Sequence, residues 1–164
     1  MRFAAMGLGL LSLAAAGCGT KSGTKTCTLI GCTDQATIGI QRANGAGVSL
    51  SVSLDIDGRI VECPAPPANA GAPCDGQVRV TQRELQECFE EMVGSAIFLR
   101  CAGTGKFEQV VEISGTPTTI RVTARNATMV VAESSFTPQY MDVQPNGPDC
   151  EPTCKQWGQT WILP

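Results

Sequence analysis

Residues 48–63, VSLSVSLDIDGRIVEC, carry the pattern that most constrains the fold. Apolar side chains alternate with serine and aspartate through the first half of this stretch. Strict period-two alternation predicts a strand with one buried face. Asp57 and Gly58 come next, and both residue types tolerate the positive φ angles of a two-residue hairpin turn. The sequence therefore predicts an antiparallel hairpin in which Val52 lies opposite Cys63, so that Cys63 points toward the core.

The same stretch offers a calcium interpretation, because Asp55, Asp57 and Glu62 lie close together in the sequence. A calcium loop of the EF-hand type needs a further ligand before the glycine and a longer spacing to the glutamate. The hairpin explains the Asp-Gly pair better. We therefore predict neither a metal site nor a cofactor.

Further segments of the chain also have the composition or alternation of strands. Valine, threonine, isoleucine and glycine are abundant, which favours strands and turns. The segments are 96–101, 106–114, 118–124, 129–136 and the C-terminal 159–164. The first of them has the composition of a short buried strand. About eight short strands separated by turns predict a mainly β fold, a disulfide-stapled, immunoglobulin-like β-sandwich with one short helix.

Residues 81–94, TQRELQECFEEMVG, are the predicted helix. Thr81 can cap its N-terminus, Glu84 completes a capping box, and Gly94 suits the position after its last turn. Four apolar residues recur at helical spacing: Leu85, Cys88, Phe89 and Met92. Four glutamates would form a solvated outer face: Glu84, Glu87, Glu90 and Glu91.

The first residues form a segment of a different kind. Arg2 is followed by an uncharged, apolar run over residues 3–16. This run is shorter than the ~20 residues that a membrane-spanning helix needs, and it has the features of a secretory signal. Small residues over 15–17 stand directly before Cys18. This arrangement resembles the lipobox of bacterial lipoproteins, although Ala15 stands where that family usually has leucine.

The resemblance implies that Cys18 becomes the N-terminus and carries palmitate-type acyl chains that hold the protein in the membrane. The predicted organisation is a signal peptide over 1–17, a flexible lipid tether over 18–26 and a single β-rich domain over 27–164. In the sorting rule of enteric lipoproteins, aspartate after the cysteine favours retention at the inner membrane. Gly19 stands at that position, so the resemblance implies the outer membrane of the cell envelope as the location. The alternative is an ordinary cleaved signal with Cys18 in a disulfide.

The cysteine count fits the lipid anchor. The chain has 9 cysteines, and setting Cys18 aside leaves an even number for an oxidising compartment. These are Cys27, Cys32, Cys63, Cys74, Cys88, Cys101, Cys150 and Cys154. The sequence alone does not determine how these cysteines pair. Pairing of nearest neighbours is the default prediction: Cys27–Cys32, Cys63–Cys74, Cys88–Cys101 and Cys150–Cys154. Zinc or redox chemistry would favour C-x-x-C spacing, which the chain lacks.

A second resemblance lies in the last third of the chain. The element PNGPDCEPTC over 145–154, preceded by TPQY and followed by a final strand, resembles the C-terminal signature of short, uncharacterised Cys-rich lipoproteins of myxobacteria. That family supplies no activity to carry over. Residues 145–148 predict a tight turn that Cys150 and Cys154 hold in place.

The absence of histidine excludes several kinds of chemistry. Ser-His-Asp triads, Cys-His pairs and His-ligated zinc all require an imidazole. The formal net charge of −3 without a Lys/Arg cluster gives no electrostatic footprint for nucleic acid. We therefore expect a non-enzymatic, lipid-anchored binding or structural module with an envelope protein or glycan as partner.

Two alternatives remain open at this point. A carboxylate-dependent envelope hydrolase would draw on Asp55, Asp57, Glu62 or Asp142. A protein inhibitor would present the disulfide-closed loop between Cys63 and Cys74, which is stiffened by four prolines: Pro64, Pro66, Pro67 and Pro73.

Overall fold

The computed structural model describes residues 30–67, 70–147 and 149–164. The predicted signal peptide and tether, with Cys18 and Cys27, lie outside these residues. The described chain forms ten strands: β1 (Gln35–Arg42), β2 (Ser51–Ile56), β3 (Arg59–Cys63), β4 (Gly71–Pro73), β5 (Val78–Val93), β6 (Ala96–Ser114), β7 (Ile120–Asn126), β8 (Met129–Phe136), β9 (Met141–Val143) and β10 (Cys154–Leu163). Nowhere in this part of the chain is there a helix long and apolar enough to cross a membrane.

The strands form two sheets. The larger has six strands in the order β4-β5-β6-β1-β10-β9, and the smaller has four in the order β3-β2-β7-β8. All pairs are antiparallel except β1 with β10, which run parallel. One cluster of buried side chains draws on both sheets. The mainly β, sandwich-like architecture is therefore confirmed.

Alternation along the strands builds this core. In β2, Val52, Leu54 and Ile56 are buried, whereas the serines and the aspartate between them are half-buried. From the other sheet, Ile38 and Ile40 of β1 are fully buried. Each such side chain contributes about 1.5–3 kcal/mol on burial. Phe136 of β8 closes one side of the core against two tryptophans of β10, Trp157 and Trp161.

The predicted Asp-Gly hairpin is confirmed in detail. β2 pairs with β3 so that Val52 lies opposite Cys63, and Cys63 is 1% exposed. Asp57 and Gly58 both adopt positive φ angles, 50° and 87°, as a two-residue turn between twisted strands requires. The Asp55 carboxylate accepts the Gly58 N–H at 2.9 Å. The predicted strands at 118–124 and 129–136 are confirmed as β7 and β8.

The predicted helix over 81–94 is wrong, because residues 81–93 belong to β5 and Gly94 lies in the turn that follows. Its main-chain groups enter the ladder with β6, in which Thr81 pairs with Val110 and Cys88 with Cys101. The capping and spacing signals are local and weak. Pairing with a long neighbouring strand overrides such intrinsic preferences. Segment 96–101 is confirmed as part of a strand, but its side chains are exposed rather than buried.

Disulfides join both neighbouring and distant parts of the chain. The bridges Cys63–Cys74 and Cys88–Cys101 are confirmed. Cys32 pairs with Cys154 across a sequence separation of 122, so the predicted pairs Cys27–Cys32 and Cys150–Cys154 are wrong. The reason is the parallel register of β1 with β10, which sets Gln35 beside Gln156 and brings the beginnings of the first and last strands together. Cys150 is disulfide-bonded as well.

A buried glutamine is a further contact between the sheets. Gln109 of β6 is fully buried. Its side-chain amide accepts the Leu50 N–H at 2.9 Å and donates to the Leu50 carbonyl at 2.8 Å. The amide thereby pairs with the main chain just before β2 as a neighbouring strand would. Buried polar groups that are satisfied in this way favour a single arrangement of the core.

Candidate functional site

The strands β5 and β6 extend far beyond the sandwich. Pairing of β5 with β4 ends at Thr81, and pairing of β6 with β1 ends at Gln109. From there the two strands pair only with each other, among the residues described, up to a turn at Gly94 and Ser95. We call residues 86–103 the arm. Every residue of the arm is exposed except Glu91, which is half-buried.

Large apolar side chains cover the outer end of the arm. They are, with their exposed fractions, Phe89 53%, Met92 75%, Val93 55%, Ile97 63%, Phe98 52% and Leu99 69%. We call these six residues the apolar end. The largest apolar patch of a typical monomer measures roughly 300–600 Å², and such patches often mark binding sites. Six large side chains on one projecting element therefore identify the arm as the candidate functional site.

Both faces of the arm are apolar near its end. Residues directly opposite each other in an antiparallel pair point to the same side of the sheet. Met92 pairs with Ile97 on one face, and Glu91 pairs with Phe98 on the other. A flat partner would cover only one of these faces. The arrangement favours a partner that contacts the arm along an edge or surrounds its end.

The Cys88–Cys101 bridge makes the arm a rigid element. The two residues lie directly opposite each other in the ladder, with 4.0 Å between their Cα atoms. An isolated two-stranded hairpin is marginally stable in water, and closing a loop of this size contributes roughly 2–4 kcal/mol. A segment ordered before binding loses less conformational entropy when a partner arrives. The bridge therefore suits a binding element.

An irregularity in the ladder sets the direction of the arm at its base. The register shifts between Glu84 and Gln86, where Gly105 adopts a φ of 70°. The Glu84 carboxylate accepts the Gly105 N–H at 2.8 Å, and the Thr104 hydroxyl donates to the Leu85 carbonyl at 2.9 Å. Bulges of this kind bend a strand and redirect the residues beyond them. The base is thus a built structure and not a frayed end.

A buried carboxylate connects this base to the body. Glu108 is 5% exposed, and its carboxylate accepts from Arg83 Nε at 2.6 Å and from Gln41 Nε2 at 3.0 Å. Gly39 leaves room for it, since a Cβ there would lie 2.8 Å from the Glu108 Oε2 atom. Glu108 therefore joins β5, β6 and β1 at the point where the arm leaves the sandwich.

The four carboxylates of the hydrolase alternative each have a structural partner. Asp55 caps the β2–β3 turn, Glu62 accepts the Ser53 hydroxyl at 2.6 Å, and Asp142 forms an ion pair with Lys155 at 3.2 Å. Asp57 accepts hydrogen bonds from the main-chain and side-chain groups of Thr118 and Thr119. These bonds, the Thr118 hydroxyl first, lower the pKa of Asp57 from 3.8 to about 2. Such contacts join loops and strands.

The described part of the loop between Cys63 and Cys74 contacts the body at two places. Pro66 is buried, and its carbonyl accepts the Ser49 hydroxyl at 3.0 Å. Pro73 belongs to β4, which pairs with β5. The arm is, within the described part of the chain, a projecting element that a disulfide closes. Among the described residues, no group of three or more His, Cys, Asp or Glu side chains could hold a metal ion.

Sequence reasoning missed the arm, although one signal was present. Cys88 and Cys101 stand at equal distances on either side of Gly94-Ser95, as cysteines facing each other across a hairpin must.

Comparisons with family models, with curated proteins and with solved structures found no match.

Proposed function

We propose that this chain is a lipid-anchored, non-catalytic binding module of the cell envelope, which engages its partner through the apolar end of the arm. The observation that carries this proposal is the arm itself. It exposes six large apolar side chains on an element that a disulfide keeps ordered. Exposed apolar surface of this kind is unfavourable in water unless a partner covers it.

The position of the arm relative to the first described residues supports an anchor at the other end. β1 begins at Gln35, which pairs with Ser114 at the end of β6, and the Asp34 carbonyl accepts the Gly115 N–H at 2.8 Å. β6 has 19 residues, which at about 3.3 Å per residue span roughly 60 Å. A tether that enters beside Gln35 would leave the arm directed away from the lipid.

The membrane part of the proposal rests on the sequence. The signal peptide over 1–17 and the tether over 18–26 resemble those of lipoproteins. Two or more acyl chains on Cys18 would hold the protein stably in the membrane, whereas one chain would not. The sandwich that presents the arm is predicted to be immunoglobulin-like, and the outer membrane is the proposed location. An envelope protein or glycan is the expected class of partner.

Inhibition of a partner enzyme is a second candidate function, and the arm favours it. Inhibitors of this kind present a rigid, projecting segment that loses little entropy on binding. In the described structure the arm has these properties, while the Cys63–Cys74 loop contacts the body through the buried Pro66.

The test places a photo-crosslinking amino acid at Met92 of the arm and, as a control, at Ile60 of β3. Both side chains are apolar and exposed, 75% and 61%, but Ile60 lies in the other sheet. We expect covalent adducts in the native envelope from the Met92 position only. Equal labelling from both positions, or no adduct from Met92, would contradict the binding role of the arm.

The anchor has its own test. The intact mass of the protein from native membranes should equal residues 18–164 plus acyl chains, with no free thiol before reduction. Cys18→Ser should release the protein from the membrane fraction. A mature protein without lipid would contradict the anchor and leave the role of the arm untouched.

A further inference from the structure

The arm has two edges, and along both of them the main-chain groups have no partner strand among the residues that the structure describes. The Cα atoms of Cys88 and Cys101 are 4.0 Å apart, which is typical of a non-hydrogen-bonded pair in an antiparallel ladder, where the main-chain groups of both residues point outward. The alternation of such pairs continues along the arm. On β6 the outward-pointing residues are Ile97, Leu99, Cys101 and Gly103, and on β5 they are Gln86, Cys88, Glu90 and Met92.

The two edges differ in charge. Within the arm, β5 carries three glutamates, Glu87, Glu90 and Glu91, whereas residues 96–103 of β6 carry a single charge, Arg100. That charge forms an ion pair with Glu91 of the same arm. Native proteins protect edge strands from unwanted pairing with charged side chains. The three glutamates protect the β5 edge in this way. The β6 edge of the arm lacks this protection, and we call it the open edge.

The open edge also has the composition of a strand that pairs. Residues 96–99, Ala-Ile-Phe-Leu, are uncharged, and three of them are large apolar residues with high strand propensity or bulk. Ala102 and Gly103 lie further along the same strand, and their small side chains allow a neighbouring strand to approach closely. Main-chain hydrogen bonds along such an edge would supply affinity.

A lipid surface fits this edge poorly. Main-chain N–H and C=O groups on an open sheet edge find no partners in hydrocarbon, so open edges do not occur there. Glu90 lies next to the apolar end, and its carboxylate would oppose an anionic membrane. An occupant that supplies main-chain hydrogen bonds fits this edge better.

We propose that this occupant is a second copy of the chain, joined edge to edge through β6 of the two arms; the inference rests on the proposed binding role of the arm. A two-fold axis perpendicular to the strands makes the pairing antiparallel and the contact self-complementary. Arg100 does not oppose it, because Glu91 of its own arm neutralises the charge. The product is a four-stranded ribbon with the acidic β5 strands outside and side chains of the two 97–99 segments in contact.

This geometry has a consequence for the anchors. Antiparallel arms place the two sandwich bodies at opposite ends of the shared ribbon. Since β1 begins at the end of the body remote from the arm, the tethers of the two copies would emerge facing away from each other. The dimer would therefore connect two surfaces rather than sit flat on one.

The test compares proline at two positions that face each other in the ladder. Leu99 and Glu90 form one register pair, so Leu99→Pro removes an outward N–H from the β6 edge and Glu90→Pro removes its counterpart from the β5 edge. The oxidised mature chain with Cys18→Ser is measured by sedimentation equilibrium. We expect the chain to form a dimer. Leu99→Pro should raise the dissociation constant of this dimer at least about tenfold, and Glu90→Pro should leave it unchanged.

Lysine at the same two positions repeats the comparison without proline, in case proline disorders the arm. Leu99→Lys places a charge on the open edge and should weaken the dimer, whereas Glu90→Lys should not. Equal effects at both positions would overturn the assignment of the β6 edge. A wild-type chain that stays monomeric would overturn the second copy as occupant.

The two proposals fail separately. If the Met92 adducts contain another protein and the chain is monomeric, the binding role stands and the homodimer falls. If Met92 gives no adducts in the envelope and the chain is monomeric, both fall. Adducts of twice the mass that contain only this chain support both.

Discussion

The sandwich body and the arm use the same strands in opposite ways. In β5, Val78 and Val80 are 1% and 0% exposed because the four-stranded sheet covers them, whereas Met92, further along the same strand, is 75% exposed. The alternation of side chains continues through both regions, but the covering layer does not. Burial therefore stabilises the body, and the ladder and one disulfide maintain the arm. Apolar residues that contribute stability in the body are available for binding in the arm.

The largest expected difference between the two regions comes from truncating leucine in each. Leu54 is fully buried and Leu99 is 69% exposed. Leu54→Ala should lower the free energy of unfolding by about 2–5 kcal/mol, through lost transfer energy and the cavity left behind. Leu99→Ala should change it by less than about 0.5 kcal/mol. Urea denaturation of the monomer measures both, and equal losses would contradict the distinction.

Glutamine gives a second pair of matched variants. Gln109→Leu keeps the approximate volume but leaves the Leu50 N–H and C=O without the partners that hold them at 2.9 and 2.8 Å. Each unsatisfied buried group costs about 1–3 kcal/mol. Gln86→Leu on the exposed arm should leave the free energy of unfolding unchanged. A stable Gln109→Leu protein would show that the amide is not a structural contact between the sheets.

Removing disulfides should separate global from local stability. Replacing Cys63 and Cys74 together by serine should lower the free energy of unfolding of the body by roughly 2–4 kcal/mol. Replacing Cys88 and Cys101 together should leave the body transition nearly unchanged and should abolish the hydrogen-exchange protection of the arm amides. If the second pair instead shifted the whole transition, arm and body would form one cooperative unit.

The smallest effect concerns acid stability in the body. The pKa of Asp57 is lowered from 3.8 to about 2 by hydrogen bonds from Thr118 and Thr119. A depressed pKa contributes stability above the unfolded value, and this contribution is lost as pH falls through the folded value. Asp57→Asn should therefore flatten the stability profile between about pH 4 and pH 2 and leave dimerisation unaffected. Urea denaturation at each pH measures the free energy of unfolding. A profile that Asp57→Asn leaves unchanged between these pH values would contradict the role of Asp57.

The sequence predicts those parts of the fold whose causes are local. The β2–β3 hairpin follows from alternation and an Asp-Gly turn, and the structure has the expected register. The 81–94 segment misleads because capping signals and helical spacing are also local, whereas the partner that decides its conformation is β6. The bridge between Cys32 and Cys154 depends on a parallel pairing of the first and last strands. No short-range signal indicates such a pairing.

The candidate site was missed for a related reason. Ile97, Phe98 and Leu99 have the composition of a buried strand, and composition does not reveal that the covering sheet ends earlier. The length of β5 and β6 beyond their neighbours is a property of the assembled sheet. Only the symmetric placement of Cys88 and Cys101 around Gly94-Ser95 indicates a hairpin in the sequence itself.

The most direct measurement is hydrogen exchange of the arm amides in the oxidised mature chain with Cys18→Ser, as a function of protein concentration. If the arms pair through β6, the amides of Leu99 and Cys101 should exchange more slowly as the concentration rises, while those of Cys88 and Glu90 keep their rates. Exchange that is independent of concentration along the whole arm, or slowed equally on both edges, would contradict the account.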